Sequence, residues 1–261
     1  MSATEAPTGP AAPSHPARWH VGEVRLDPRR NGLNLLRLVF ASMVLVAHGW
    51  YISGKGIGPQ INGENLGGWA VFGFFAISGY LITGSRAKNG VGTYLVHRVA
   101  RIFPAFLVCL VVTAFVFAPI AYLHQNHTLD GFLTTGVTPL NYVLLNAGLK
   151  MQTYQVAGTL ATVPYAGAWD GSLWSLYYEF ICYLIVGALL TVGFVRRRAR
   201  WLAIACVLSI AAYAALPRLN AYIGSNGDVM FLTKLLPFFL AGGFLYMVKD
   251  RVRLTWPMAL A

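Results

Sequence analysis

Two stretches of this chain, LGGWAVFGFFAISGYLITG at 66–84 and IFPAFLVCLVVTAFVFAPIAYL at 102–123, contain no charged residue. Each is long enough to cross a hydrocarbon layer about 30 Å thick, which takes about 20 helical residues. Inside such a layer every backbone N–H and C=O must find an internal partner, so a run of this kind folds as a helix. Four further runs follow the same pattern: 34–53, 173–195 and 229–248 carry one Lys, Arg or Glu each, and 201–217 carries none. Charged residues make up 11% of the chain, against about 25% in soluble domains. The expected fold is therefore all-α, a polytopic transmembrane bundle of about six spans.

The net charge of +11 raises the question of nucleic acid, and its placement excludes it. Sixteen of the 20 Lys and Arg fall in four blocks, at 18–37, 86–101, 196–200 and 249–253. Those blocks occupy every second end of the six spans, which is the positive-inside pattern. A nucleic-acid face would cluster without regard to the spans. The pattern predicts a multi-pass membrane protein with its N-terminus in the cytoplasm. Lys55, Lys150, Arg218 and Lys234 are the exceptions.

Residues 1–32 are rich in Ala, Pro, Ser and Thr and are followed by no signal-peptide h-region; they read as a disordered cytoplasmic tail before a membrane domain at 33–261. The segment SRAKNGVGTYLVHRVAR reads as the first inner loop, with the third span opening at Ile102. The stretch 124–172 must begin and end on the outer side. Its apolar piece TPLNYVLLNAGL, at 138–149, is too short to cross, which predicts one short re-entrant or interfacial helix. PRLNAYIGSNGD reads as the outer loop between the last two spans. The final LTWPMALA opens another apolar run of eight residues, so the chain reads as cut off within a span. Gly67, Gly68, Gly73, Gly79 and Gly84 fall in or beside the second span, where small residues let helices pack closely. Cys109, Cys182 and Cys206 lie within spans without metal-ligand spacing and read as small hydrophobes; no metal site is expected.

Ionisable groups within spans are costly and usually face a cavity or a partner. Arg37 and His48 are 11 residues apart on the first helix. At about 100° per residue they return to within roughly 20° of one another, about 16 Å apart along the axis. Histidine can take a proton near neutral pH. Arg98 and Arg101 are i, i+3 neighbours at the start of the third span, and two guanidinium forks on one face can grip phosphate. Glu179 lies within the fourth span and needs a partner, such as His48 or an arginine.

These pieces together resemble acyltransferase family 3, integral membrane proteins that O-acylate bacterial surface polysaccharides and other glycans. The residues that carry the resemblance are Arg37, ten residues and His48 in the first helix; FFAISGYLI at 74–82; RVARIFP at 98–104; and WSLYYE at 174–179. They cover roughly 31–195. The resemblance implies an acyl-CoA donor, most often acetyl-CoA, bound as substrate with no permanent cofactor, and a sugar hydroxyl as acceptor. It implies His48, Arg37 and Glu179 as catalytic residues, Arg98 and Arg101 as the donor's anchors, and Ser78 and Trp174 along the substrate path. Family members usually have about ten spans. A glycan or lipid transporter, or a non-catalytic membrane protein, also accounts for ionisable groups in helices.

Overall fold

The structure is a computed structural model and describes residues 32–251. The expected tail and the final apolar run lie outside the described residues. Among the described residues six helices are long and apolar enough to cross a membrane, and the longest connection between them is 127–170. The first, α1, spans Gly32–Ile52. A two-residue hairpin follows, β1 (Gln60–Ile61) and β2 (Glu64–Asn65), paired antiparallel. Its turn is Asn62-Gly63, both at positive φ (51° and 78°), the type I′ geometry that this dipeptide favours.

The next helix, α2, spans Leu66–Lys88; Asn65 caps it by accepting from the Gly68 N–H at 2.8 Å. Arg86 and Lys88 lie in its last turn, where the helix dipole favours cations. Only Asn89 and Gly90 then separate it from α3, Val91–Val112. The segment expected as an inner loop is therefore helical almost throughout, and the third helix starts eleven residues before Ile102. A helix does not have to end where the hydrocarbon ends, and nothing in 91–101 breaks one. A π-helical segment, Thr113–Phe117, joins α3 to α4 (Ala118–Asn126), making one continuous 36-residue rod.

The expected short helix is present as α5, Pro139–Asn146. Thr138 caps it, and Pro139 occupies its first turn, a position that needs no N–H donor. It packs on α3 and the π segment, and Tyr142 and Asn146 are fully buried. The Asn146 carboxamide takes the N–H groups of Gln152 and Thr153 and donates to Thr153 O. The Trp169 indole donates to Thr159 Oγ1 at 2.8 Å. Residues 139–170 are thus held by their own hydrogen bonds.

A 3₁₀ turn, Gly171–Leu173, leads into α6 (Trp174–Leu189), followed by the short α7 (Gly193–Arg197). Then come α8 (Arg200–Ile223) and α9 (Gly227–Val248). The expected outer loop from Pro217 is helical as far as Ile223, and only 224–226 turn the chain.

The centre of the bundle is α2, and its glycines explain why. A Cβ at Gly67 or Gly73 would press on Ala47 or Phe40 of α1, and one at Gly79 would overlap the Phe239 carbonyl of α9. Gly242 of α9 meets Ala76 O in the same way. The two backbones touch, which only residues without a side chain allow. The Phe72 and Phe238 rings stack beside this crossing at 4.3 Å. By contrast α1 packs chiefly on α2, and Ala47 is its one buried residue.

Candidate functional site

Register fixes which polar groups share a level. Phe40 lies against Gly73 and Phe74, and Ala47 against Gly67, so α1 runs antiparallel to α2 with Arg37 level with Ser78. Ser78 meets Glu179, and Arg86 meets Gly187, so α2 and α6 run parallel. Phe103 meets Phe180, and Tyr94 meets Tyr183, which brings Arg101 to the level of Glu179. Three charged side chains from three helices thus reach one layer, half-way along α2.

A cavity of about 460 Å³ opens at this layer, walled by α1, α2, α3 and α6. Arg37, Ser78, Arg101, Glu179 and Tyr183 line it among apolar side chains such as Phe75 and Phe106. The Glu179 carboxylate is the hub. Ser78 Oγ and Tyr183 Oη both donate to its Oε1, each at 2.6 Å. Among the described residues no Lys or Arg nitrogen lies within 4 Å of it. Its close partners are hydroxyls, not the imidazole or guanidinium that the sequence leads one to expect. Two O–H donors on one oxygen fix the carboxylate in place, and it lines the same cavity as the Arg37 and Arg101 side chains.

Three expected site residues lie elsewhere. Register puts His48 level with Gly67, at the far end of α2 from Arg86. It shares a stripe of α1 with Arg37, but the cavity wall ends before reaching it. Its Nδ1 is 2.8 Å from Val44 O. A carbonyl can only accept, so Nδ1 is the donor, and in the neutral ring Nε2 keeps its lone pair. The ring stands edge-on to Tyr51, 6.1 Å between centroids. Arg98 does not line the cavity beside Arg101. Its guanidinium carbon lies 5.9 Å from the centroids of both the Tyr94 and Tyr183 rings, and its Nε is buried without a hydrogen-bond partner. Trp174 packs against Tyr178 and Phe231, outside the cavity lining.

Sequence reasoning passed over Tyr183, Asp170 and Arg86. Tyr183 follows Glu179 by four residues, a spacing that places side chains together on a helix. Asp170, in the left-handed conformation just before α6, accepts from Tyr142 Oη at 2.9 Å and Cys109 Sγ at 3.6 Å. Burial first, and then the Asp170 carboxylate, push the Tyr142 phenol far above its ordinary value, so it remains a donor. Because Cys109 lines the cavity, this pair ties the 139–170 segment to the cavity rim. Arg86, only 4% exposed, donates to Gly187 O, Asn89 O and Thr191 Oγ1. It closes the end of α6 rather than marking topology. Among the described residues no group of three His, Cys, Asp or Glu is placed to hold a metal.

The acyltransferase domain family matches residues 30–261. The chain belongs to acyltransferase family 3. Over 160 residues, 61% of the chain, it is 33% identical to an O-acetyl transferase of Shigella phage Sf6. Over 179 residues, 62% of the chain, it is 30% identical to nodulation protein 10 of Rhizobium leguminosarum bv. viciae. In each case the match spans 45% of the relative, so the chain corresponds to about half the length of these curated relatives. No solved structure matches it. The family pattern in this chain joins FFAISGYLI to WSLYYE through one hydrogen bond, from Ser78 to Glu179.

Proposed function

We propose that this protein is a membrane O-acyltransferase that moves an acetyl group from acetyl-CoA to a sugar hydroxyl of a glycan. The observation that carries the reading is the convergence of Arg37, Arg101 and Glu179 on one cavity at mid-depth, in a chain of this family. The acetyl group is taken from the printed name of the phage relative.

In this reading the donor enters from the end of the bundle rich in Arg and Lys, the cytoplasmic end. Arg37 and Arg101 receive its phosphates, since guanidinium forks match phosphate oxygens. Glu179 balances the two cations and keeps them apart. The thin pantetheine arm runs along the α1 stripe towards His48, about 16 Å on. His48 Nε2, free to accept, takes the proton of the acceptor hydroxyl. The sugar oxygen attacks the thioester carbonyl, the C–S bond breaks, and the thiolate leaves with the proton from the imidazolium. The products are the sugar acetate and CoA.

Membranes carrying the protein, given labelled acetyl-CoA and glycan, test this. Label should move to the glycan, and His48→Ala should abolish that while inserting normally. Transfer by His48→Ala at the original rate would overturn the general-base role; no glycan labelling by the unaltered protein would overturn the activity.

A further inference from the structure

A further concavity among the described residues lies apart from the cavity described above. It encloses about 440 Å³ between α7 and the start of α8, and Phe194, Arg197, Arg198, Arg200 and Trp201 line it. The local build explains the shape. Val195 is buried and wedges α7 against the bundle. Arg196 points the other way and donates to Ala87 O at 2.8 Å, which pins α7 to the end of α2. The remaining three arginines are left on the open side.

Among the described residues nothing neutralises them. No Asp or Glu occurs from 180 through 227, and none of the three forms an ion pair among the described residues. Three guanidinium groups crowded around one hollow repel each other, and the arrangement calls for an anion. The hollow also has an aromatic wall. The Phe194 and Trp201 rings meet edge to face at 5.0 Å, and the Arg200 guanidinium lies over the indole at 5.3 Å. Phe194 is 57% exposed.

The surface leading away from the hollow identifies the anion's other half. Arg200, Ile204, Val207 and Leu208 follow one face of α8 at helical spacing. The last three are exposed apolar side chains on a membrane-spanning helix. A soluble phosphate compound has no use for such a strip, whereas acyl chains do. Arginine clusters at the border of spans are suited to acidic headgroups, and an indole beside them suits the interface.

We infer that the α7–α8 hollow is a binding site for one anionic phospholipid, its phosphodiester held by Arg197, Arg198 and Arg200 and its chains laid along α8. The site is independent of the acyl-transfer reading.

The test uses the detergent-purified protein and native mass spectrometry with phosphatidylglycerol and phosphatidylcholine. The unaltered protein should retain phosphatidylglycerol in preference. The triple variant Arg197→Gln, Arg198→Gln, Arg200→Gln should lose that preference by on the order of tenfold or more. A charge-matched control at the same end, Lys88→Gln, Lys249→Gln, Arg251→Gln, should keep it. Should the triple variant not be recovered, Arg198→Glu gives the same reading. Equal retention of the two lipids overturns the proposal. So does unchanged preference in the site variants, or equal loss in the control, which would mean diffuse attraction. Displacement of the lipid by inorganic phosphate at matching concentration overturns the lipid assignment in favour of a soluble anion.

Discussion

Glu179 has two jobs that can be separated by substitution. It accepts from the Ser78 and Tyr183 hydroxyls, and in the proposed reaction it offsets the Arg37 and Arg101 cations that line the same cavity. Glu179→Gln keeps the shape and an acceptor oxygen but removes the charge. Acyl transfer should fall about a hundredfold, the scale expected when reacting groups are misplaced by about an ångström. Ser78→Ala and Tyr183→Phe each remove one donor and leave the other, so each should cost about tenfold or less. Full activity in Glu179→Gln would show that the two arginines need no counter-charge. Arg86 is different, because its three acceptors lie at the ends of α2 and α6 and not in the cavity. Arg86→Met leaves buried carbonyl groups unpaired and should destabilise the fold by about 3 kcal/mol. The check is a lowered apparent melting temperature, with activity per folded molecule retained; a large drop in that specific activity would instead put Arg86 in the chemistry.

At the scale of elements, the α2–α9 crossing is the joint on which the site's depth depends. A Cβ at Gly79 would meet a backbone carbonyl, which cannot swing away, while one at Gly84 would meet the Tyr246 ring, which can. Gly79→Val should therefore lower the yield of folded protein severely, and Gly84→Ala only slightly, by size-exclusion of detergent extracts. Equal tolerance would mean the two helices can move apart at little cost. These elements were readable from sequence to different degrees. The spans were legible because an apolar run of 20 residues permits little but a helix. The length of α3 was not, since Val91–Arg101 carries the charge pattern of a loop and yet contains nothing that stops a helix. Part of the site was legible: one helix, α1, carries both Arg37 and His48, but which part of it meets the cavity depends on how far α3 and α6 flank it. The Tyr142–Asp170 bond joins residues 28 apart through the fold of a segment with little hydropathy signal.

Across the whole molecule, the charges sort by end. Glu64, Asp130, Asp170 and Asp228 lie at or beyond the ends of the spans opposite the arginine blocks. Two of the four lysine and arginine exceptions to that sorting are neutralised there: Lys150 pairs with Asp228, and Lys234 with Glu64. The bond to Asp228 also raises the Lys150 ammonium above its ordinary value, so the tie between the 139–170 segment and α9 persists at neutral pH. On the alkaline side it is lost as pH rises past about 10.4, the free-lysine value, and through the higher folded value; on the acid side it is lost once the Asp228 carboxylate takes a proton. With those two cations cancelled, the remaining excess of positive charge lies at the opposite end, and the positive-inside rule predicts Arg197 and Arg251 on the cytoplasmic side. Cysteine exchange at exposed positions tests this in intact cells. Lys55→Cys should react with a membrane-impermeant maleimide from outside, and Arg251→Cys only after permeabilisation. Cys109, Cys182 and Cys206 lie within spans, and Cys182 is fully buried, so the unaltered protein supplies the background. Labelling in the reverse order would invert the bundle, and the Arg37–Arg101 cavity would then face a donor supplied from the wrong side of the membrane.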